Sequence, residues 1–166
     1  MRSHFDIFLS LFPEVKLPVT ISEDSIHELS KENDAIPERL IREFILPYEE
    51  NVDDLTEFVA CFRIAGIQDF HAIVYWKAGL MNYNYVLATY TKTGALIDKA
   101  VIAGTFSDGR LITRSFARID DDWSITIVSG QTVGSSEDYD ASSSRTVDLD
   151  LLPDGKIQPA EWQGAR

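Results

Sequence analysis

The sequence is short of cysteine, histidine and positive charge, and each shortage closes a class of function. Its single cysteine, Cys61, has no intramolecular partner, so no disulfide framework holds the fold. The three histidines, His4, His27 and His71, fall on separate segments and form no H-x-x-x-H pair. With one cysteine there is no thiolate cluster either, so no metal ligands are assigned. Lysine and arginine total 15 against 27 aspartates and glutamates, a net charge of −12. Such a surface repels phosphate backbones and anionic lipids, which argues against nucleic acid and membrane as partners. No apolar run approaches the roughly 20 residues needed to span a bilayer. "HFDIFLSLF" is interrupted by Asp6 and ended by Pro13, without a small-residue cleavage site after it. A cytoplasmic location is expected.

Cofactor and nucleophile motifs are also missing. "GQTVGSS" has two glycines but no lysine to reach a terminal phosphate, and no G-x-S-x-G nucleophile elbow is present. "DLDLLPDG" places Leu152 at the third ligand position of a calcium loop, so it reads as a strand and turn. No cofactor is expected.

What the chain does have is patterning. Its 166 residues, 45% apolar and 25% charged, fit one globular domain spanning 1–166. Residues 1–57 read as mainly helical. Phe5, Phe8, Leu9 and Phe12 recur at helical spacing, and "SEDSIHELSKEN" opens with the N-cap residue Ser22. In "IPERLIREFILP", Pro37 suits a first turn, Leu40, Ile41, Phe44 and Ile45 form a stripe, and Pro47 stops it.

From Phe58 to residue 158 the period becomes two, with a tail at 159–166. Strands are expected at "FVACFRI", "HAIVYW", "YVLATYT", "ALIDKAVIA", "RLITRSFAR", "WSITIVS" and "RTVDLDLL". "GTFSDG", "RIDDDW" and Pro153-Asp154-Gly155 are the turns between them. "KAGLMNYNY" reads as a projecting loop. The fold class is therefore α+β: N-terminal helices packed on a curved antiparallel β-meander of about six or seven strands.

Few residues carry chemistry. Asp120, Asp121 and Asp122 are consecutive, so on an extended chain they point to alternate sides and serve a hairpin turn better than a metal. Asp69 and His71, two apart, share a face if both lie on a strand, and are the acid–base candidates if the protein is an enzyme. No nucleophile accompanies them, so no catalytic residue is assigned and an enzyme is the lesser reading. Tyr75, Trp76, Tyr83, Tyr85 and Tyr90 cluster within sixteen residues. Their large area and polar tips suit a binding face, although such residues also pack sheets.

The segment "YVLATYTKTGALIDKAVIAG", with Tyr90, Lys92 and Gly94 followed by Leu96-Ile97-Asp98, resembles small uncharacterised β-meander proteins of Bacteroidetes type. That resemblance implies a sheet and carries no catalytic residue across.

Charge supplies the functional expectation. Residues 1–60 hold 14 acidic and 5 basic side chains, whereas 61–166 hold 13 and 10. Such asymmetry steers association with a basic protein. The first reading is a non-catalytic cytoplasmic binding protein, in its most concrete form an immunity-type protein neutralising a basic toxin. The alternative is a small-molecule-binding protein or small enzyme using a cavity on the curved sheet. A third is a homo-oligomer with a large apolar contact between copies.

Overall fold

The computed structural model describes residues 3–22, 36–80, 82–133 and 140–160, without the side chains of 133 and 140–143. Helix α1 (His4–Ser10) starts at a capping box, in which Asp6 N donates to Ser3 Oγ (3.1 Å) and Ser3 N donates to Asp6 Oδ2 (3.3 Å). Helix α2 (Glu38–Phe44) follows Pro37 and runs into a 3-10 turn at Leu46–Tyr48, where Pro47 removes the next helical donor. The helix expected over residues 22–33 lies, apart from Ser22, outside the described residues.

Among the described residues the strands number ten and form one sheet, more than the six or seven expected. They are β1 (Glu14–Val15), β2 (Val19–Ile21), β3 (Glu57–Ile64), β4 (His71–Ala78), β5 (Asn82–Tyr90), β6 (Leu96–Ser107), β7 (Leu111–Ile119), β8 (Ser124–Val133), β9 (Asp140–Leu151) and β10 (Ile157–Pro159). The seven expected strands are β3 to β9, and they pair in chain order as antiparallel neighbours. The extra three have two or three residues each, too few to display a period. β1 pairs with β3 in parallel, so the sheet is mixed, and two strands interrupt the segment read as mainly helical. β8 and β9 extend into the polar stretch after "WSITIVS", with Gln131 opposite Asp140, because backbone pairing needs no apolar alternation.

Strand β6 determines the shape. Leu96–Phe106 pairs with β5, but only Gly104–Ser107 pairs with β7. Where β6 leaves, β2 takes the vacated edge of β7, opposite Ala117–Ile119. The departure occurs at a bulge beside Ile102 and at Gly104, whose φ is +148°. A Cβ there would lie 2.2 Å from Tyr83 O. Gly104 therefore sits within a strand, and the turn read at "GTFSDG" contracts to Asp108–Arg110, where Asp108 Oδ1 accepts from Arg110 N and Leu111 N.

Two cores result, one on each side of β3–β5. Phe5, Phe8, Leu9 and Phe12 of the first helical segment and Leu40, Phe44 and Ile45 of the second meet Phe58, Ile73, Tyr75, Val86 and Tyr90. On the other side, Phe62, Phe70, Val74, Tyr85 and Leu87 meet Ile21, Ile102, Ala117, Ile119, Ile125 and Leu151. A register shift between Ala60 and Phe62 lets β3 serve both, turning Ala60 to the helices and Phe62 away. Burial on both faces explains why these strands read as continuous apolar runs.

Closure is polar. Thr89 is fully buried, and its hydroxyl donates to Gly155 O (2.6 Å) and accepts from Asp98 N (3.1 Å). Asp98 Oδ2 accepts from Ile157 N (2.9 Å), which ties the β9–β10 turn to the β5–β6 hairpin.

The three aspartates make a hairpin turn. Asp120 N donates to Ser124 O, Asp120 Oδ1 accepts from Arg118 Nε (2.7 Å), and Asp122 Oδ1 accepts from Ser124 N and Oγ. Trp123 completes it at φ +70°, held by its edge-on ring contact with Phe70.

Candidate functional site

Asp69 and His71 do not form a dyad. Asp69 is exposed in the bend before β4, so the alternation that would have aligned it with His71 does not apply. His71 opens β4 and packs edge-on against Phe5, ring centroids 5.7 Å apart. Burial lowers its pKa, and the charges of Arg63 and Lys92 lower it further, against a smaller opposing pull from Asp6.

The five aromatics are distributed over both sides of the sheet. Tyr75 and Tyr90 point to the helices and are 1% exposed, and Tyr90 Oη donates to Phe44 O (2.5 Å). Tyr85, equally buried, lies in the opposite core, with Trp76 packed against that core. Tyr83 meets Trp76 at 5.9 Å between ring centroids. Asn82–Tyr85 is strand, so the projecting loop shrinks to the turn after Gly79, whose N–H donates to Asn82 O. The five do not make one continuous surface.

The structure instead builds a polar node that no sequence motif announced. Glu49 follows the 3-10 turn, and its side chain is 5% exposed. It accepts hydrogen bonds from Tyr75 Oη and from Lys77 Nζ (2.9 Å), and pairs with Lys99 Nζ at 3.2 Å. Lys77 Nζ also donates to Glu50 O (2.7 Å). Burial pushes the Glu49 pKa up, but the hydrogen bonds from Tyr75, Lys77 and Lys99 outweigh it and hold the carboxyl below its ordinary value. Burial and the Glu49 charge raise the Tyr75 hydroxyl far above its ordinary value. The node pins residues 49 and 50 to β4 and β6. Its members come from a turn and two strands, so proximity in sequence gave no signal.

What it pins is an exposed acidic segment. After Glu50, Asp53 and Thr56 bond each other reciprocally: Asp53 N donates to Thr56 Oγ1 (3.0 Å) and Thr56 N donates to Asp53 O (3.1 Å), while Asp53 Oδ1 accepts from Leu55 N (2.8 Å). This self-bonded turn holds Leu55 outward at 64% exposure, between exposed Asp53, Asp54 and Glu57. Register places more apolar surface beside it. Glu57 pairs with Ala78, two residues before Leu80, and Asn82 pairs with Phe106. Leu80 is 78% exposed and Phe106 50%. Leu55 just before β3, Leu80 just after β4 and Phe106 near the end of β6 thus stand towards one end of these strands. Asp108, exposed at the β6–β7 turn, is held below its ordinary pKa by the backbone N–H groups of Leu111 and Arg110. Arg110 is the exposed cation of that turn.

Leu80 inside a turn and Leu55 between acidic residues were the legible signals for this end, since apolar residues are uncommon where chains bend outward. Among the described residues, no three His, Cys, Asp or Glu side chains converge as metal ligands, and no helix is long and apolar enough to cross a membrane. No protein-family model matches the chain, and no curated protein or solved structure shows significant similarity to it.

Proposed function

We propose that this is a non-catalytic, cytoplasmic binding protein whose contact surface is the end of the sheet carrying Leu55, Leu80 and Phe106. The observation that carries the reading is this apolar group framed by Glu50, Asp53, Asp54, Glu57 and Asp108. Apolar anchors beside a predominantly acidic group, with Arg110 as its exposed cation, suit a partner of largely positive charge. The partner is a basic protein segment presenting apolar side chains. Neutralisation of a basic toxin is the most concrete form of that role.

Two features support a preformed surface. The Glu49 node fixes the segment's start, and the Asp53–Thr56 turn fixes its tip, so little ordering cost accompanies binding. A soluble peptide of lysines and leucines in amphipathic order tests the reading. Titration calorimetry should show binding that weakens as salt rises, because exposed charge pairs are screened beyond a Debye length of about 10 Å at 0.1 M. Absence of binding at low salt, or affinity unchanged by salt, would count against it.

A further inference from the structure

Beside the Glu49 node lies a recess of about 230 Å³, lined by Lys77, Asn84, Val86, Lys99, Ala100 and Val101 together with Glu49 itself. We propose that it binds a small aliphatic monocarboxylate. The recess adjoins the base of the acidic segment, but its argument stands on its own observations.

Charge comes first. Two ammonium groups face one buried carboxylate, leaving a local surplus of one positive charge in a chain of net −12. Glu49 already receives hydrogen bonds from Tyr75 and Lys77, so Lys99 exceeds what the node needs to neutralise it. A monoanion balances this surplus, whereas a dianionic phosphate would reverse it.

Donors agree. Each ammonium carries three hydrogens. Lys77 directs two of them to Glu49 and Glu50 O, and Lys99 directs one to Glu49. One hydrogen on Lys77 and two on Lys99 therefore lack a protein acceptor among the described residues. Lys99 is 32% exposed, open enough to meet an incoming anion.

The remaining wall selects the tail. Val101, on the same face as Lys99 and the buried Val86, is 55% exposed, whereas the Ala100 side chain turns to the other core. A short alkyl chain covers that surface while the carboxylate meets the lysines. The volume lies below the roughly 300–1,000 Å³ of drug-sized pockets, which restricts the ligand to a small metabolite.

The test is a ¹H–¹⁵N NMR titration of the full chain with acetate, butyrate, hexanoate and inorganic phosphate, at constant ionic strength made up with chloride. Saturable shifts at the Val86, Ala100 and Val101 amides are expected, tighter for butyrate than for acetate and in the millimolar range. Lys99→Gln should weaken butyrate binding at least about tenfold, and Lys99→Arg should retain it. Both variants leave the Lys77–Glu49 pair in place, and the rest of the spectrum reports that the fold is intact. Non-saturating shifts, shifts unchanged in Lys99→Gln, or phosphate and chloride matching butyrate would each overturn the proposal.

Discussion

Lys77 Nζ lies 2.9 Å from Glu49 Oε2, joining a strand of the sheet's centre to the turn that follows the second helix. Because the Glu49 side chain is almost wholly buried, this pair is screened far less than a surface salt bridge. It connects the interior of the fold to the acidic segment displayed outside.

Removing that carboxylate should be costly. Glu49→Gln leaves two lysines without a counter-charge, and we expect a loss of about 2–4 kcal/mol at neutral pH by urea denaturation. The pH dependence has a definite sign. A folded-state pKa held below 4.5 contributes stability that is complete above the unfolded carboxylate value and is lost as pH falls through the folded one. The gap between wild type and Glu49→Gln should therefore be widest at neutral pH and close in the acidic range below 4.5. A gap that stays constant through that range would contradict the assignment.

Tyr90→Phe isolates the helix-to-sheet tie. Its hydroxyl donates to Phe44 O in a buried site, so the variant orphans a carbonyl while preserving the ring contacts with Phe5 and Phe8. A destabilisation of about 1–3 kcal/mol is expected. Hydrogen exchange should quicken in α2 (Glu38–Phe44) more than in β7 and β8.

Much of the fold was legible because burial follows period. Phe5, Phe8 and Phe12 marked an amphipathic helix, and seven of the ten strands announced themselves by alternation or by β-branched runs. Strands β1, β2 and β10 were hidden because two or three residues show no period. The dyad of Asp69 and His71 depended on a strand that begins only at His71. Aromatic clustering in "YW…YNY…Y" pointed to the centre of the sheet, whose two buried faces divide those rings. The Glu49 node was illegible for a different reason: its partners are 26 to 50 residues away, and single charged residues in turns and strands look alike until the sheet brings them together.

Gly104 and Gly109 offer a contrast in backbone demand. Gly104→Ala puts a Cβ 2.2 Å from Tyr83 O and 2.9 Å from Asn84 Cα, both backbone atoms. It should cost more than about 4 kcal/mol or prevent folding, since neither strand can yield without losing register. At Gly109, φ is +95° but no atom lies within 4 Å, so Gly109→Ala should cost only about 1 kcal/mol. Thermal denaturation of the pair checks the bend directly.

Cys61 should behave as a core residue. Burial pushes its thiol up to about 12, so the thiolate is scarce at neutral pH. Ellman's reagent should label it only after denaturant is added, and rapid labelling of the native protein would contradict its placement in the core.

The most direct test of the binding surface compares two sets of exposed apolar residues on the same fold. Leu55→Ser with Leu80→Ser alters the acidic end, whereas Phe116→Ser with Val128→Ser alters a paired site on β7 and β8. Affinity for the lysine–leucine peptide, measured by calorimetry on both double variants, should fall at least about tenfold for the first and stay near wild type for the second. Equal losses in both, or full affinity in Leu55→Ser/Leu80→Ser, would contradict the assignment of that end as the contact surface.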